Sequence, residues 1–464
     1  MLGNLGEFLN QWTATLSGWI SLPLIFILLG SGMFITFSLR WIQIRQLKHS
    51  FDVVGGKYDN PEDEGDVTHF QALSAALSST IGIGNIAGVA LAVRLGGPGA
   101  LFWMWATALF GMAVKYAECS LSHRFRVIHE DGSASGGPMY YIEKGLGPKW
   151  KPLAIFFAGC ATICSFCTGN MNQANTIAQT FTTYNLPPWF TGAAIALLVG
   201  LVIIGGIKRI AAVASRLVPT MAVLYVGGAL FILLMNSDAI IPSFFSIIRE
   251  AFSLEAGWGG LITVVMWGIR RGLYSNEAGQ GSAPIAHAAA KTKESIREGA
   301  VAQMGPLIDT LIICTMTGLA IISTGVLEST NLTGAQLTRA AFQEGFSFAP
   351  EIGSTIINFS VLLFAYTTMV AWSYYGDRSV EYLIGPSAIK PYRWVYVFFN
   401  FLGAILPLTF VWNFGDIALS LMTIPNLIGV VLLMPTLKVM TDEYFSREHL
   451  TYKETLAQQG SDSL

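Results

Sequence analysis

A group of small and polar residues in the segment Leu77–Leu91 has the chemistry of a binding site for charged groups at membrane depth. The segment lies in an uncharged stretch, residues 70–93, that is long enough to cross a membrane as a helix. Its centre is unsuited to lipid because polar and helix-disfavouring residues follow one another there, at Ser78, Ser79, Thr80, Gly82, Gly84 and Asn85. Irregular backbone persists at membrane depth only where it faces protein or water, so we predict a break in this helix from Ser79 to Gly84.

A broken helix offers ligands that need no charged side chain. The freed carbonyls can hold a cation, and the half-helix that begins after the break can hold a carboxylate at its N-terminal amides. This chemistry indicates a transport site. Close packing between helices is the alternative explanation for a cluster of glycine and serine in a membrane segment.

A second segment, Val264–Gly281, also combines glycine with polar chemistry. It contains glycines at 268, 272, 279 and 281 and three charged residues, Arg270, Arg271 and Glu277. Charged residues at membrane depth face the protein interior and commonly mark a functional site, although an ion pair between an arginine and Glu277 is a purely structural alternative. We predict that this helix is also interrupted and is the partner of the first broken helix.

The composition places both segments in a membrane protein. The chain has 464 residues, of which 53% are hydrophobic and 12% are charged, and this charged share is about half that of a soluble domain. The net charge of −2 comes without a basic patch, so we expect no nucleic-acid partner. All five cysteines fall in apolar segments, which argues against a disulfide framework. No set of Ser, His and Asp lies at membrane depth, so we do not expect an enzyme.

Eleven apolar segments are long enough to span a membrane, which predicts an all-α polytopic membrane protein. They lie at residues 19–39, 70–93, 99–122, 152–180, 189–207, 212–235, 258–289, 298–325, 354–375, 392–412 and 416–436. Most of the 27 Lys and Arg residues fall in alternate loops, beginning with the loop after the first segment. This bias predicts a multi-pass protein of the cell (inner) membrane with its N-terminus outside and its C-terminus in the cytoplasm.

The two broken helices open two sets of five segments that run in opposite directions. This arrangement predicts a 5+5 inverted repeat, with the repeats at residues 68–236 and 237–437. Residues 1–67 then form one extra N-terminal helix and a cytoplasmic loop, and residues 438–464 form a cytoplasmic tail.

The loop between the eighth and ninth segments contains an amphipathic stretch, residues 333–346. It predicts a helix that Thr333 caps and that folds over the entrance as a lid. An ordinary helix at the membrane interface is the alternative.

Several motifs resemble those of the alanine or glycine:cation symporter family. The most specific is the tryptophan-containing stretch Gly96–Gly111, which is followed by Tyr116–Cys119. The other matches are G-N-I-A-G-V-A at 84–90, S-G-G-P at 135–138, Q-A-N at 173–175, S-N-E-A-G at 275–279 and I-D-T-L-I-I-C-T at 308–315. Gln280 departs from the family, in which methionine is expected there. The resemblance implies sodium-coupled symport of alanine or glycine on the fold of the bacterial leucine transporter, with sodium as the coupling ion and no other cofactor.

The resemblance also implies where the substrate's charged groups bind. It places the carboxylate at the amides of Ile83 and Gly84, in the G-x-G-N motif that Asn85 completes. The ammonium group is expected to meet carbonyls of Thr80 and of Met266–Gly268.

Side chains that surround the substrate follow from the same resemblance. A small amino acid requires bulky walls, for which the candidates are Phe166, Trp267, Tyr366 and Met369. Gln173 is expected to contact the substrate, and Asn170 lies three residues earlier, so that both point into the bundle from one helix face. Hydrogen bonding between helices is the alternative role for these two amides.

The fold that the resemblance implies brings residues 354–375 against the first break, and a sodium site is expected between them. Sodium prefers oxygen ligands, and neutral ones suffice for an ion that is released in every cycle. We expect the hydroxyls of Thr367 and Thr368 to join the carbonyls of Ser78, Ile81 and Phe364. In the alternative, both threonines bond to carbonyls of their own helix.

Three questions stay open at this point. Asp309 is a lone carboxylate at membrane depth that either neutralises sodium or pairs with Lys115 or an arginine of the second broken helix. A channel is a rival function, although a channel needs a continuous polar path and this chain concentrates polarity at two breaks. A proton-coupled amino-acid transporter of the same fold is the other rival. The expected partners are alanine or glycine, sodium and membrane lipid.

Overall fold

The computed structural model describes residues 2–130, 132–254, 257–406 and 408–454. These residues are almost entirely helical, apart from one antiparallel pair of short strands, β1 (Val127–Ile128) and β2 (Ala134–Ser135). In this pair Val127 lies opposite Ser135.

The α-helices of the first half of the chain include both parts of the first predicted broken helix. They are α1 (Leu2–Ser38), α2 (Ile42–Arg45), α3 (Leu47–Val54), α4 (His69–Thr80), α5 (Val89–Gly96), α6 (Ala100–Arg124), α7 (Pro138–Leu146), α8 (Lys151–Phe166), α9 (Asn172–Phe181), α10 (Pro188–Ile203) and α11 (Gly206–Met235).

The α-helices of the second half include the second predicted broken helix. They are α12 (Ser237–Ala251), α13 (Gly257–Asn276), α14 (Ala283–His287), α15 (Ser295–Ala302), α16 (Met304–Pro306), α17 (Thr315–Ser323), α18 (Val326–Ser329), α19 (Gly334–Gly345), α20 (Pro350–Ile384), α21 (Ile389–Ile405), α22 (Leu408–Leu432) and α23 (Met434–Phe445).

Three π-helical segments and three 3-10 turns interrupt or join these helices. The π-helical segments are Gly84–Gly88, Cys167–Met171 and Leu307–Cys314, and the 3-10 turns are Pro148–Trp150, Thr182–Tyr184 and Pro386–Ala388.

Five continuous helical runs are long and apolar enough to cross a membrane. Two further runs qualify if each bent pair is one span: His69–Thr80 with Gly84–Gly96, bent by 52°, and Ile417–Leu432 with Met434–Phe445, bent by 59°. Large apolar side chains are exposed along these and neighbouring helices, which is unfavourable in water and expected in lipid, as at Leu197, Val223 and Leu234. All eleven predicted segments contain helix, but by length and composition the structure supports five to seven spans, and the number eleven stays a prediction.

The first predicted break is present. Helix α4 ends at Thr80, and Ile81 leaves the helical conformation with φ −74° and ψ 85°. The chain then resumes as the π-helical segment Gly84–Gly88 and continues into α5. The whole break is buried, so its irregular backbone faces protein, as the membrane requires.

The second break lies farther along the chain than the stretch Met266–Gly268 from which we expected free carbonyls. Those residues are inside α13, where glycine serves packing: a Cβ on Gly268 would lie 2.4 Å from the carbonyl oxygen of Ala100. The chain instead breaks between α13 and α14, where Glu277 has φ 54° and Gly279 and Gly281 both have φ 80°. Glycine adopts such left-handed conformations without strain, so Gly279 and Gly281 let the chain stay non-helical after Glu277.

The predicted helix after Thr333 is present as α19, although the Thr333 side chain makes no capping hydrogen bond. It packs against the π-helical segment Gly84–Gly88, where the Thr338 hydroxyl donates to the carbonyl of Ile86 over 3.0 Å. Leu337 and Phe342 are fully buried. The helix is therefore docked on the π-helical segment that follows the first break.

Candidate functional site

A small cavity whose lining residues are buried lies between the two helix breaks. Segments that are far apart in the sequence meet there: the break after α4, the π-helical segment before α9, the break after α13, and helices α20 and α22. The cavity is lined by Ser79, Thr80, Gly82, Gly84, Thr168, Gln173, Tyr274, Glu277, Gln280, Thr368, Trp372 and Leu419. Of the residues that we expected to bind substrate or sodium, Thr80, Gly84, Gln173 and Thr368 are in this set.

The backbone of the first break borders the cavity because Gly82 has no side chain. A Cβ on Gly82 would lie 2.7 Å from the Thr368 hydroxyl oxygen and 3.5 Å from Oε1 of Gln173. Any larger residue would therefore fill the space between these two polar groups. The N–H of Gly82 donates to Oδ1 of Asn85 over 2.9 Å, which fixes the turn.

Asn85 does not line the cavity but joins three helices. Its Nδ2 donates to Oδ1 of Asp309 over 2.5 Å, and Oδ2 of Asp309 accepts hydrogen bonds from the hydroxyls of Ser275 and Thr310, at 2.6 and 2.7 Å. Among the described residues, the side chains that donate to this buried carboxylate are thus neutral groups rather than Lys115 or an arginine. The cluster holds the start of the half-helix after the break against α13 and the π-helical segment Leu307–Cys314. Ile83, beside it, is buried in the apolar core.

Glu277 brings a carboxylate to the cavity wall. Its Oε1 accepts a hydrogen bond of 3.0 Å from the indole of Trp372, and its Oε2 accepts from the hydroxyls of Ser282 and Ser79, at 2.5 and 3.3 Å. All of these donors are neutral, so they orient the carboxylate without neutralising its charge. The ion pair with an arginine that we considered is not among these hydrogen bonds. We did not predict Glu277 as a binding residue. The sequence feature that points to it is a charged residue beside glycines in an apolar segment.

Gln173 has a polar atom available to a ligand. Its Nε2 donates to the carbonyl of Thr168 over 3.3 Å, whereas its buried Oε1 has no hydrogen-bond partner among the described residues. Asn170 points elsewhere: its Nδ2 donates to the carbonyl of Tyr396, and its Oδ1 accepts from Asn400 of α21. The two amides do not share a face because Asn170 lies in the π-helical segment Cys167–Met171, which changes the angle between residues three apart.

The bulky residues that we expected as walls lie outside the cavity. The ring of Phe166 packs on the rings of α21, and Asn400 donates to the sulfur of Met369, also on the α21 side. The hydroxyl of Tyr366 donates to the carbonyl of Leu198 in α10, and Trp267 lies in α13, where Arg271 packs 5.4 Å from its ring centroid.

The apolar walls are formed instead by Tyr274, Trp372 and Leu419. Two of these residues have sequence features from which they could have been predicted. Trp372 follows Thr368 by one helical turn on the same face, and Tyr274 directly precedes the S-N-E-A-G motif.

The two threonines proposed as sodium ligands point to different neighbours. The hydroxyls of both donate to the carbonyl of Phe364, at 3.1 Å from Thr367 and 2.9 Å from Thr368. Thr368 also faces the cavity at Gly82, whereas the Thr367 hydroxyl lies 3.6 Å from the sulfur of Met221 in α11. Each hydroxyl keeps lone pairs after donating, so bonding within the helix and binding a cation are compatible.

The carbonyl ligands expected from α4 lie at the end of that helix. The Ser78 hydroxyl donates to the carbonyl of Ala75 over 2.8 Å, and the Ile81 N–H donates to the carbonyl of Leu77 over 2.8 Å. Both residues are buried directly beside the break.

Comparison with known proteins identifies relatives along nearly the whole chain. The profile of the sodium:alanine symporter family matches residues 6–458. The sodium/alanine symporter AgcS of Methanococcus maripaludis is 45% identical over 88% of this chain and 91% of its own length. The probable sodium/glutamine symporter GlnT of Bacillus subtilis is 33% identical over 93% of this chain and 91% of its own length.

A solved structure supports the same fold. The crystal structure of MhsT in complex with L-phenylalanine, a protein of the leucine-transporter fold, covers 80% of this chain and 89% of its own, with a TM-score of 0.59 and 15% identity. At this identity the likeness concerns the fold alone.

Proposed function

Because the chain belongs to the sodium:alanine symporter family, whose members are transporters and not enzymes, we propose that it imports alanine or glycine together with sodium. The chain is a multi-pass membrane protein and a secondary transporter. The substrate and the coupling ion are proposed because relatives within the family differ in the amino acid that their names give.

The observation that carries this proposal is the cavity between the two breaks. It is buried and small, and it brings helix-break backbone, the amide oxygen of Gln173 and the carboxylate of Glu277 into one space. A zwitterion needs groups of opposite polarity at its two ends, and this cavity offers both.

The substrate is oriented by these groups. Its carboxylate binds at the amides of Ile83 and Gly84, where the outer half-helix begins. Its ammonium group meets the carbonyl of Thr80, and we add the carboxylate of Glu277 as its charged partner. Tyr274, Trp372 and Leu419 close around a short side chain, which favours alanine or glycine over longer amino acids.

Sodium binds beside the substrate. Its proposed ligands are the hydroxyl oxygens of Thr367 and Thr368 and the carbonyls of Ser78, Ile81 and Phe364. Thr368 is the best supported of these, because it borders the cavity at the first break. Sodium bound there links α20 to the inner half-helix α4 and thereby couples ion binding to the geometry of the substrate site.

The proposed architecture is a 5+5 inverted repeat of eleven spans, with repeats at 68–236 and 237–437. One broken helix near the start of each repeat and the likeness to MhsT support it. The protein lies in the cell (inner) membrane, with its N-terminus outside and its C-terminus in the cytoplasm. Alternating access then exposes the cavity first to one side of the membrane and then to the other.

The test is uptake of radiolabelled alanine into proteoliposomes with an inward sodium gradient, with a proton gradient in sodium-free buffer, or with neither. We expect uptake that saturates and accumulates alanine only with sodium. Accumulation driven by the proton gradient alone identifies a proton-coupled transporter, and non-saturating flux without accumulation identifies a channel.

A pair of glycine variants tests whether this cavity is the site. Gly82→Leu fills the cavity and should abolish uptake. Gly227→Leu is the control, because a Cβ there meets nothing within 4 Å. Uptake that survives Gly82→Leu would place the substrate elsewhere.

A further inference from the structure

A second cavity lies at the end of α1, where the chain turns into α2 and packs beside α23. It shares no lining residue with the cavity between the helix breaks. It is thus a separate feature of the molecule, which the proposed transport cycle does not use.

The lining of this cavity is strongly cationic. Arg40, Arg45 and Lys438 contribute three positive charges, against one carboxylate from Asp442. Within the described parts of the chain, none of the three cations is in an ion pair, and their only side-chain hydrogen bond there is a long one, 3.4 Å from the Arg45 guanidinium to the carbonyl of Arg40. Three cations and one carboxylate leave an excess of positive charge in the lining, which attracts an anion.

An unusual backbone turn gathers these cations. Arg40 and Trp41 are consecutive non-glycine residues with positive φ, 54° and 57°. The N–H of Trp41 donates to the carbonyl of Thr36 over 2.9 Å, and the indole packs 5.7 Å from the ring of Phe37. The turn reverses the chain so that Arg40 and Arg45 line one space, and strain of this kind commonly marks a functional position.

The helices that form this cavity also carry exposed apolar side chains. These are Phe34 and Phe37 on α1, Ile44 on α2 and Val439 on α23. The cavity therefore has cations in its lining and hydrophobic side chains on the helices that form it, at the end of the apolar run Pro23–Ser38. An anionic phospholipid has the matching structure, with a phosphate head and acyl chains.

We propose that the cavity lined by Arg40, Arg45 and Lys438 binds the phosphate of an anionic phospholipid whose acyl chains lie along Phe34, Phe37 and Val439. Free phosphate has the same charge chemistry, but it leaves the apolar side chains uncovered. The lipid joins the end of α1 to α23, two elements that approach each other at this cavity.

The test uses the full chain in nanodiscs that contain phosphatidylglycerol and phosphatidylcholine in equal amounts, followed by native mass spectrometry of the retained lipid. We expect preferential retention of phosphatidylglycerol. Arg45→Gln and Lys438→Gln should each reduce that preference about fivefold, because one basic residue near an anionic lipid contributes about that factor. Lys48→Gln is the matched control, an exposed cation of α3 that does not line the cavity.

Further measurements distinguish a bound phospholipid from free inorganic phosphate. Millimolar inorganic phosphate should not displace the lipid; displacement, or equal retention of both lipids by the wild type, would overturn the proposal. Unchanged retention in Lys438→Gln would also overturn it. This residue is exposed, so the variant is expected to fold, and Arg45→Lys should restore the loss seen in Arg45→Gln. The readout is lipid binding, so the result stands apart from whether the protein transports alanine.

Discussion

The indole nitrogen of Trp372 lies 3.0 Å from Oε1 of Glu277, to which it donates a hydrogen bond. This bond connects α20 to the break after α13 and so holds two sides of the cavity together. Among the described residues that line the cavity, Glu277 is the only carboxylate. A charge at this position acts directly on whatever the cavity binds.

Glu277→Gln should therefore weaken alanine binding. The amide keeps the size of the side chain and can still accept from Trp372, but it removes the negative charge that we assign to the substrate ammonium. We expect the KM for alanine to rise about tenfold or more, in keeping with the loss of a charge-assisted contact. The measurement is alanine uptake at saturating sodium.

Trp372→Phe is the control for this change. It keeps an aromatic ring in the cavity wall and leaves the charge of Glu277 in place while it removes the hydrogen bond that orients this carboxylate, so its effect on the KM should be smaller. An unchanged KM in Glu277→Gln would show that this carboxylate holds the break together and does not bind the substrate.

Gln173→Ala tests the amide whose Oε1 borders the cavity. We expect the KM for alanine to rise about tenfold while thermal stability in detergent changes little, since Gln173 makes one long hydrogen bond to Thr168. Uptake kinetics and thermal unfolding are measured on the same preparation.

Asn170→Ala supplies the contrast on the same helix. Its amide bonds to Tyr396 and Asn400, so its loss should lower the unfolding temperature and leave the affinity of the surviving protein intact. If Gln173→Ala behaves in this way instead, Gln173 joins helices and does not bind substrate.

These two amides show what the sequence can and cannot predict. A run of amides at membrane depth predicted a polar site, because polar groups there need partners. The direction of each amide depended on the π-helical segment Cys167–Met171, and no hydrophobic period signals such a segment in advance. Gln173 lies at the cavity and Asn170 does not, and the role of either in binding substrate stays a prediction.

The second broken helix follows the same pattern. Glycine and charge predicted that the helix from 258 to 289 is unusual, and it is interrupted. The position of the interruption was not predicted, because glycines that permit close packing, such as Gly268, look the same in sequence as glycines that adopt positive φ, such as Gly279. Only the packing partner, here the carbonyl of Ala100, separates the two.

His49 predicts how stability depends on pH. Its imidazole lies between α3 and α23, 2.9 Å from the hydroxyl of Tyr444. Burial, with help from His449 and Arg297, lowers its pKa from 6.5 to about 4. Between these values the unfolded chain binds a proton that the folded chain does not, so the free energy of unfolding should fall as the pH drops from 6.5 toward 4.

Thermal unfolding measured from pH 7 to pH 4 checks this expectation. His49→Phe keeps a ring and removes the titrating group, so it should flatten the fall over that interval. A variant whose stability falls as steeply as that of the wild type would assign the pH dependence to other groups, of which the neighbouring His449 is the first to examine, since its pKa is also lowered by burial.

The sodium site gives the sharpest pair of variants because Thr367 and Thr368 are adjacent and identical in chemistry. Both donate to the carbonyl of Phe364, so removing either hydroxyl costs the same bond within the helix. Only Thr368 faces the break at Gly82, whereas Thr367 faces the sulfur of Met221, a poor ligand for a hard cation. Thr368→Val should therefore raise the sodium concentration for half-maximal uptake about tenfold, and Thr367→Val should raise it much less.

Sodium activation curves at saturating alanine distinguish the outcomes, because they separate loss of the ion site from loss of alanine affinity. Adjacent helical residues point about 100° apart, so an ion held equally by both hydroxyls would have to lie between their directions, and the two variants would then shift the curve alike. A larger shift in Thr367→Val would place the ion toward α11. Unchanged curves in both variants would remove the two threonines from the sodium site and leave their hydroxyls the single role of bonding to the Phe364 carbonyl.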